Sequence, residues 1–362
     1  MIIYWRIGKS CNLGCKYCNI MNVNKFQNNK DSEYIDVESM VNFIKCIYNN
    51  NGHDPIDLVF YGGEPLLYQD AILDFVEKSR ELQIRQSLHT NGTLLDKTYP
   101  EILHNLDTII LSIDGPERIT DKNRGKNVYS KIRNNIENIR REYDGEIIAR
   151  ATLTLDASVK DAVLDLIRWL DGIYWQIENS PKFDSKTINE FLEKYPNEIR
   201  DLVDLWIDEA KNSNIINILP FQAIASTFLM KRHEKTLRCG CGSRLIVTDG
   251  VKCFACDELA ETANEVYLGM IKENVNPNIP LISQRVNETC ACCSIRYICG
   301  GRCYNSLAYF PREKFEFYCN TTHILVQSVQ KIIPDLKSVV DSKLLAVEQL
   351  SHPALGLVDQ IP

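Results

Sequence analysis

The sequence has no apolar run approaching the roughly 18–20 residues that cross a bilayer, which excludes a helical membrane span. Its opening residues, Met1-Ile2-Ile3-Tyr4-Trp5-Arg6, lack the charged stretch, apolar block and cleavage site of a secretion signal. A cytoplasmic location is therefore expected. Positive charge is not in excess, and the formal net charge is −7. That argues against general nucleic-acid or anionic-membrane binding, which needs a basic footprint. A small molecule or a peptide is left as partner. Low-complexity segments and simple internal repeats are missing. The six histidines are scattered, none at ligand spacing from another. Cysteine is absent between Cys46 and Cys239.

What is present belongs to an ordinary globular protein. The 362 residues are 44% hydrophobic and 25% charged, enough for one large domain and a smaller one. The 14 cysteines are unevenly placed. Cys11, Cys15 and Cys18 fall together, Cys46 stands alone, and the other ten lie in the last third. In a reducing compartment clustered thiols mean metal or redox chemistry before they mean disulfides. Cys46, on a predicted helix face, is expected to be a packed small hydrophobe.

Runs rich in Val, Ile and aromatics predict strands at residues 2–7, 56–61, 84–89, 108–113, 147–153 and 173–178. Amphipathic patterns predict helices between them. One starts near Asp36, a good N-cap, with Met40, Phe43, Ile44 and Ile47 at helical spacing. Others carry Ile72, Phe75 and Val76, or Val163, Leu164, Ile167 and Leu170. Six βα units in series imply an α/β fold with a parallel sheet, either open and wound or a partial barrel. Two helices are expected at about 187–195 and 198–211. The cysteine-rich region then begins, and the tail beyond Cys319 reads as one or two helices broken by Pro334. The expected organisation is a catalytic domain over 1–215, a linker over 216–235, a cysteine-rich domain over 236–335 and a helical tail over 336–362.

Cys11, Cys15 and Cys18 form C-x3-C-x2-C in the loop after the first strand, at the strand end where parallel α/β folds place active sites. Three thiolates can hold three irons of a 4Fe–4S cube. The fourth iron is then open, and an open metal position is a site for chemistry. A structural zinc loop that borrows a fourth ligand is the alternative at this spacing. The motif, with Tyr17 before its last cysteine, resembles the signature of the radical S-adenosylmethionine (SAM) superfamily. Three further strand ends carry the resemblance. Gly62-Gly63-Glu64-Pro65 is similar to the family's GGEP motif, which binds the methionine amino group. His89-Thr90-Asn91-Gly92 is similar to its TNG turn. Ser112-Ile113-Asp114-Gly115-Pro116, with Arg124 ten residues past Asp114, resembles its segment for the ribose and methionine carboxylate. The resemblance covers roughly residues 1–180. It implies a partial (β/α)6 barrel, a cluster held by Cys11, Cys15 and Cys18, and a cofactor site at Tyr17, Gly62, Gly63, Glu64, Pro65, Asn91, Ser112, Asp114 and Arg124.

Cys290, Cys293, Cys299 and Cys303 form C-x2-C-x5-C-x3-C, followed by Cys319. This resembles the second half of a SPASM domain, an extension with two auxiliary 4Fe–4S clusters. The resemblance assigns Cys290, Cys293, Cys299 and Cys319 to one cluster. It assigns Cys239, Cys256 and Cys303 to the other, with Cys241 and Cys253 as alternates. Five residues separate Gly250 from Cys256, one more than is usual in the family, so this second ligand set stays open. Cys241, Cys253 and Cys292 are left as spares or extra ligands. A zinc ribbon is the alternative to both.

By this resemblance the activity is oxidative. An open iron chelates SAM, and one electron releases a 5′-deoxyadenosyl radical that removes hydrogen from an unactivated carbon. The expected function is a maturase that installs a thioether or carbon–carbon crosslink in a ribosomally made peptide. A sulfatase-maturing enzyme that makes formylglycine is the alternative. There Asp257, next to Cys256, is a candidate proton acceptor, against the plainer reading of a surface carboxylate. Cys18 is followed by Asn19-Ile20 rather than the aromatic pair usual in that group. A non-catalytic iron–sulfur or zinc scaffold is the reading from another class. The partners implied are a precursor peptide or protein and an external electron donor; since the cluster motif starts at Cys11, the peptide is expected either to need a separate peptide-recognition protein or to dock directly on the barrel and the cysteine-rich domain.

Overall fold

The computed structural model describes residues 1–18, 35–50, 52, 54–179, 184–260, 262–357 and 361–362. Asn19-Ile20, the pair after Cys18, lies outside the described residues. The chain divides into two compact units, each discontinuous in sequence. The first holds residues 1–113, 117–147 and 242–278, and the second holds 114–116, 148–241 and 279–362. The breaks expected from the sequence fall instead at 215/216, 235/236 and 335/336. Part of the cysteine-rich region thus joins the N-terminal strands in one unit.

The first unit is built on β1 (Ile2–Gly8), β2 (Ile56–Gly62), β3 (Ile84–Thr90) and β4 (Thr108–Ser112). These pair in parallel, β1 with β2, β2 with β3 and β3 with β4. A strand covered on both faces reads as a continuous apolar run, and β2 from Ile56 to Phe60 is buried throughout. Helix α1 (Val37–Asn50) starts where Asp36 predicts. The Oδ1 atom of Asp36 accepts the Ser39 N–H at 3.0 Å and Oδ2 accepts the Ser39 hydroxyl at 2.6 Å. Helix α2 (Gln69–Lys78) buries Ile72, Phe75 and Val76. Phe75 meets Trp5 of β1 edge-on at 5.4 Å and Phe60 of β2 at 5.8 Å. Such aromatic pairs add about 0.5–1.5 kcal/mol beyond the area they bury. Cys46 contradicts its expectation. It is exposed on α1, and Asn50 Nδ2 donates to its Sγ at 3.3 Å. Met40, Phe43, Ile44 and Ile47 fill the inward stripe, and position 46 falls outside it.

The sequence pattern predicts no strand after residue 178. Among the described residues three exist: β7 (Leu245–Thr248), β8 (Lys252–Phe254) and β9 (Tyr267–Met270). β7 pairs in parallel with β1, from Ile2 opposite Leu245 to Trp5 opposite Thr248. β8 and β9 continue antiparallel. The strands are three or four residues long, too short to show a period.

In the second unit, residues 148–153 of β5 (Glu146–Leu153) pair in parallel with β6 (Gly172–Ile177). The expected six βα repeats and α/β class therefore stand. Two predicted helices are one, α3 (Ser185–Lys211), with Pro196 inside it. Proline removes one helical hydrogen bond. The buried stripe of Phe191, Tyr195, Ile199, Leu202, Val203 and Trp206 holds both halves in line. α4 (Leu219–Leu229) is buried almost throughout, and its Phe221 packs on Trp175 and Trp206 at 6.0 and 5.8 Å. Two helices follow Pro311, α5 (Arg312–Lys331) and α6 (Ile333–Asp341). Pro334 sits in the first turn of α6, where its missing N–H costs nothing. Among the described residues no helix is long and apolar enough to cross a membrane.

Candidate functional site

The loop that leaves β1 carries Cys11, Cys15 and Cys18, all partly exposed. The end of β2 pins it. The Gly63 N–H donates to Gly8 O at 2.9 Å, and the Glu64 N–H donates to Ser10 O at 2.8 Å. A Cβ on Gly63 would stand 2.1 Å from Ser10 O, and one on Gly62 would stand 2.4 Å from Gly8 O. The two glycines thus let the backbone of β2 touch the backbone of the cysteine loop. The close approach they permit is made to the loop that bears Cys11.

Glu64 is fully buried. Its Oε1 accepts the Thr90 hydroxyl at 2.7 Å and the Leu66 N–H at 3.1 Å, and its Oε2 accepts the Asn91 N–H at 2.8 Å. Burial pushes its carboxyl up to about 6, against the pull of those three donors. Glu64 therefore ties β2 to the turn after β3. That turn reaches the cysteine loop in its own right. Asn91 Nδ2 donates to Asn12 Oδ1 at 2.8 Å and lies 3.8 Å from Cys11 Sγ. Asn12 Nδ2 donates to the Thr93 hydroxyl at 2.8 Å. Gly92 takes φ +74, and a Cβ there would meet Leu111 at 2.5 Å. Burial raises the Cys11 thiol, opposed by the Leu13 N–H; Glu64 and Cys18 add to the rise. Cys11, Cys18, Glu64 and Asn91 thus feel one another at the ends of β1, β2 and β3.

Arg124 is buried and lies over the Tyr17 ring at 5.6 Å, while Lys16 N–H donates to Asn123 O at 3.0 Å. Both residues expected near the cofactor therefore flank the cysteine loop. Ser112 Oγ sits 3.1 Å from His89 Nε2. Pro65 is buried in the turn after Glu64. Asp114 behaves differently. It is fully buried in the second unit, and its Oδ1 accepts the Thr152 N–H of β5 at 3.1 Å. Its carboxylate fixes a strand and has no exposed surface for a ligand.

Asp257 is partly buried and carries a network that sequence reasoning missed. Arg6 Nε donates to its Oδ1 at 2.5 Å, an Arg6 terminal NH₂ donates to its backbone oxygen at 2.6 Å, and the Tyr61 hydroxyl donates to Oδ2 at 3.1 Å. The Tyr61 ring lies against His89 with centroids 5.2 Å apart. Asp257 is therefore no bare surface carboxylate. It is fixed to residues near the ends of β1 and β2, the strands whose ends hold Cys11 and Glu64. One signal was available: Arg6 interrupts an apolar strand, and a charge placed there needs a partner.

Cys253 lies in β8 opposite Thr248, fully buried, and burial pushes its thiol up to about 12. Cys256 lies in the loop beyond β8, outside the strand ladder. Cys239 and Cys241 belong to the second unit, Cys241 buried and Cys239 partly so.

In the second unit, Cys290 ends a helix at Pro280–Thr289, and the Cys293 N–H donates to Cys290 O at 3.1 Å. Burial pushes Cys290 up to about 11 and Cys319 up to about 12. Cys299 and Cys293 add to the first shift, and Cys299, Cys290 and Cys293 to the second. The four thiols are thus near enough to act on one another electrostatically, and Arg302 acts on Cys299 and Cys319. This donor set fits an iron–sulfur cube, whose assembly would release the thiol protons. The loop between Cys299 and Cys303 is tight. A Cβ on Gly300 would meet Thr236 O at 2.5 Å, and one on Gly301 would meet Val286 at 2.4 Å. Arg302 then donates to Tyr318 O at 3.1 Å and to the Thr322 hydroxyl at 2.6 Å, which staples the loop to α5, the helix of Cys319. Among the described residues no group of three or more His, Cys, Asp or Glu converges as on a single metal ion. The thiolates of a cube each bind a different iron and need not converge.

A model of the radical SAM superfamily matches residues 5–167. The cysteine-type anaerobic sulfatase-maturating enzyme of Clostridium perfringens is 28% identical over 325 residues, spanning 81% of this chain and 85% of the relative. The serine-type anaerobic sulfatase-maturating enzyme of Klebsiella aerogenes is 26% identical over 329 residues, spanning 82% of this chain and 78% of the relative. A solved structure, native anSMEcpe with bound AdoMet, superposes with a TM-score of 0.71 at 23% identity, covering 94% of this chain and 99% of the other. That likeness establishes the shared fold.

Proposed function

From the match of the radical SAM superfamily model to residues 5–167 we propose that this chain is a radical SAM enzyme that matures sulfatases by oxidising a cysteine or serine side chain to formylglycine. Both relatives named above act as sulfatase maturases by name, and each match extends over about four-fifths of this chain. They favour this reading over the peptide crosslink that the sequence motifs placed first. The observation that carries it is the seat of Asp257, a carboxylate fixed by Arg6 and Tyr61 near the strand ends that hold Cys11 and Glu64.

When bound, the cluster at Cys11, Cys15 and Cys18 with SAM supplies hydrogen-atom abstraction, and the auxiliary clusters supply an electron acceptor. The chain's own residues do the rest. Cys11, Cys15 and Cys18 present three thiolates on a loop that Gly62 and Gly63 hold against β2. Glu64, its carboxylate taken up by Leu66, Thr90 and Asn91, fixes the neighbouring turn, and the backbone of the Gly62–Gly63–Glu64 segment is offered to the cofactor's ammonium. Arg124 and Tyr17 flank the loop, and Ser112 stands at the next strand end for the ribose and carboxylate. Asp257 accepts the proton that leaves the substrate thiol or hydroxyl as its carbon is oxidised; a serine then gives the aldehyde directly, and a cysteine gives a thioaldehyde that water hydrolyses with loss of hydrogen sulfide. Cys290, Cys293, Cys299 and Cys319 hold one auxiliary cluster, and the resemblance assigns Cys239, Cys256 and Cys303 to the other, with Cys241 and Cys253 as alternates. The substrate is a protein or peptide, met directly or through a separate recognition protein, and an external donor supplies the reducing electron.

The test is anaerobic turnover with dithionite, SAM and a peptide spanning the modified cysteine or serine of a sulfatase. The wild-type protein should give 5′-deoxyadenosine and a formylglycine peptide by mass spectrometry. Asp257→Asn should keep 5′-deoxyadenosine release and lose formylglycine about 100-fold or more. Tyr61→Phe, which loses one hydrogen bond to a charged acceptor, should lose about tenfold. A crosslinked peptide, or no oxidised residue while 5′-deoxyadenosine forms, would overturn the proposal.

A further inference from the structure

His323 stands beside the cysteines of the second unit. His323 sits on α5 four residues after Cys319, so both side chains leave one face of the helix, a turn apart. It is half-buried, and its Nε2 is 3.6 Å from Cys293 Sγ. The same thiol belongs to the group of Cys290, Cys293, Cys299 and Cys319.

The chemistry of that contact has a fixed direction once iron is bound. An iron-bound cysteine is a thiolate with no proton to give, so Cys293 is the acceptor and Nε2–H of His323 is the donor. A hydrogen bond to a ligating sulfur draws electron density off it and favours the reduced cluster, which carries one more negative charge. We propose that His323 is a tuning residue of the cluster at Cys290, Cys293, Cys299 and Cys319, which raises its reduction potential by donating a hydrogen bond to Cys293. The consequence is functional. The cluster becomes a better acceptor for the electron that leaves the substrate, while its ligand set stays all-cysteine. This rests on the proposed ligand set, and the measurements below separate the two.

The experiment is an anaerobic redox titration of the reconstituted protein followed by EPR. Cys293→Ser first marks which signal belongs to this cluster. Iron and sulfide are counted in every variant. His323→Leu should keep wild-type iron and shift that signal to lower potential. A tenfold change in the reduced-to-oxidised ratio corresponds to about 59 mV for a one-electron couple. His323→Gln, which keeps an N–H donor of similar reach, should restore most of the shift. In the Cys293→Ser background, His323→Leu should move the signal much less. An unmoved potential in His323→Leu with full iron would overturn the proposal, as would a Gln variant that behaves like Leu. Loss of the cluster's iron in His323→Leu would also overturn it, by making the histidine a ligand or a packing element. Absence of any iron at these cysteines in the wild-type protein would instead refute the ligand set.

Discussion

Gly63→Ala should remove the first cluster without touching the others. A Cβ on Gly63 would lie 2.1 Å from Ser10 O and 2.6 Å from Lys9 O. Both are backbone atoms, so no rotamer change relieves the clash, and the loop must retreat by roughly an ångström to reach ordinary contact distance. That retreat breaks the bonds from Gly63 N to Gly8 O and from Glu64 N to Ser10 O, now 2.9 and 2.8 Å. Lost hydrogen bonds and overpacking together cost about 2–5 kcal/mol. Ser10 adjoins Cys11, so the displacement passes directly into the thiolate triad, and a misplacement of about 1 Å is worth roughly 100-fold in rate. Gly14→Ala is the control, because it lies within the same loop and a Cβ there meets nothing within 4 Å. The assay is iron and sulfide content with 5′-deoxyadenosine release after anaerobic reconstitution. Gly63→Ala should lose the first cluster's share of iron and nearly all 5′-deoxyadenosine, whereas Gly14→Ala should resemble wild type. If Gly14→Ala fails equally, or Gly63→Ala retains activity, the contact between β2 and the loop does not govern the site.

Two further outcomes follow from burial. Cys256→Ala should lower iron content by one auxiliary cluster, while Cys253→Ala, which changes a thiol inside the strand ladder, should keep full iron; equal losses would show that Cys253 is a ligand. Glu64 is held up at about 6 from an ordinary 4.5, so its contribution of about 2 kcal/mol to stability is present below pH 4.5 and lost as pH rises through 6. Glu64→Gln lacks that titration, so the difference in unfolding midpoint between iron-free wild-type and variant protein should change over this window, the wild type losing ground as pH rises; a constant difference would refute the assignment.

How far the sequence could be read depended on the range of the interactions involved. Asp36 capped its helix as expected because a cap is satisfied within three residues. The six long strands were legible because a strand buried on both faces needs a run of apolar side chains, and β2 shows one. β7 to β9 were not legible, since strands this short form through pairing partners, and the partner of β7 is β1, more than two hundred residues away. Pro196 suggested a break that the buried face of α3 overrode. Cys46 was judged by its residue type, and the direction of the helix face decided otherwise.

The sequence alone determined where the candidate ligand and cofactor groups stand along the chain. Three thiols within one loop, a glycine pair before a glutamate and a polar turn at the next strand end are local patterns, and local spacing is set by the covalent chain. The tertiary structure decided what each group touches. Only folding could show that Gly62 and Gly63 serve the cysteine loop, that Asp114 is a buried strand fastener, that Arg6 and Tyr61 grip Asp257, and that His323 reaches Cys293. Those partners lie between thirty and 251 residues apart along the chain, and such distances carry no periodic signal, because the contact is made by packing and not by the backbone repeat.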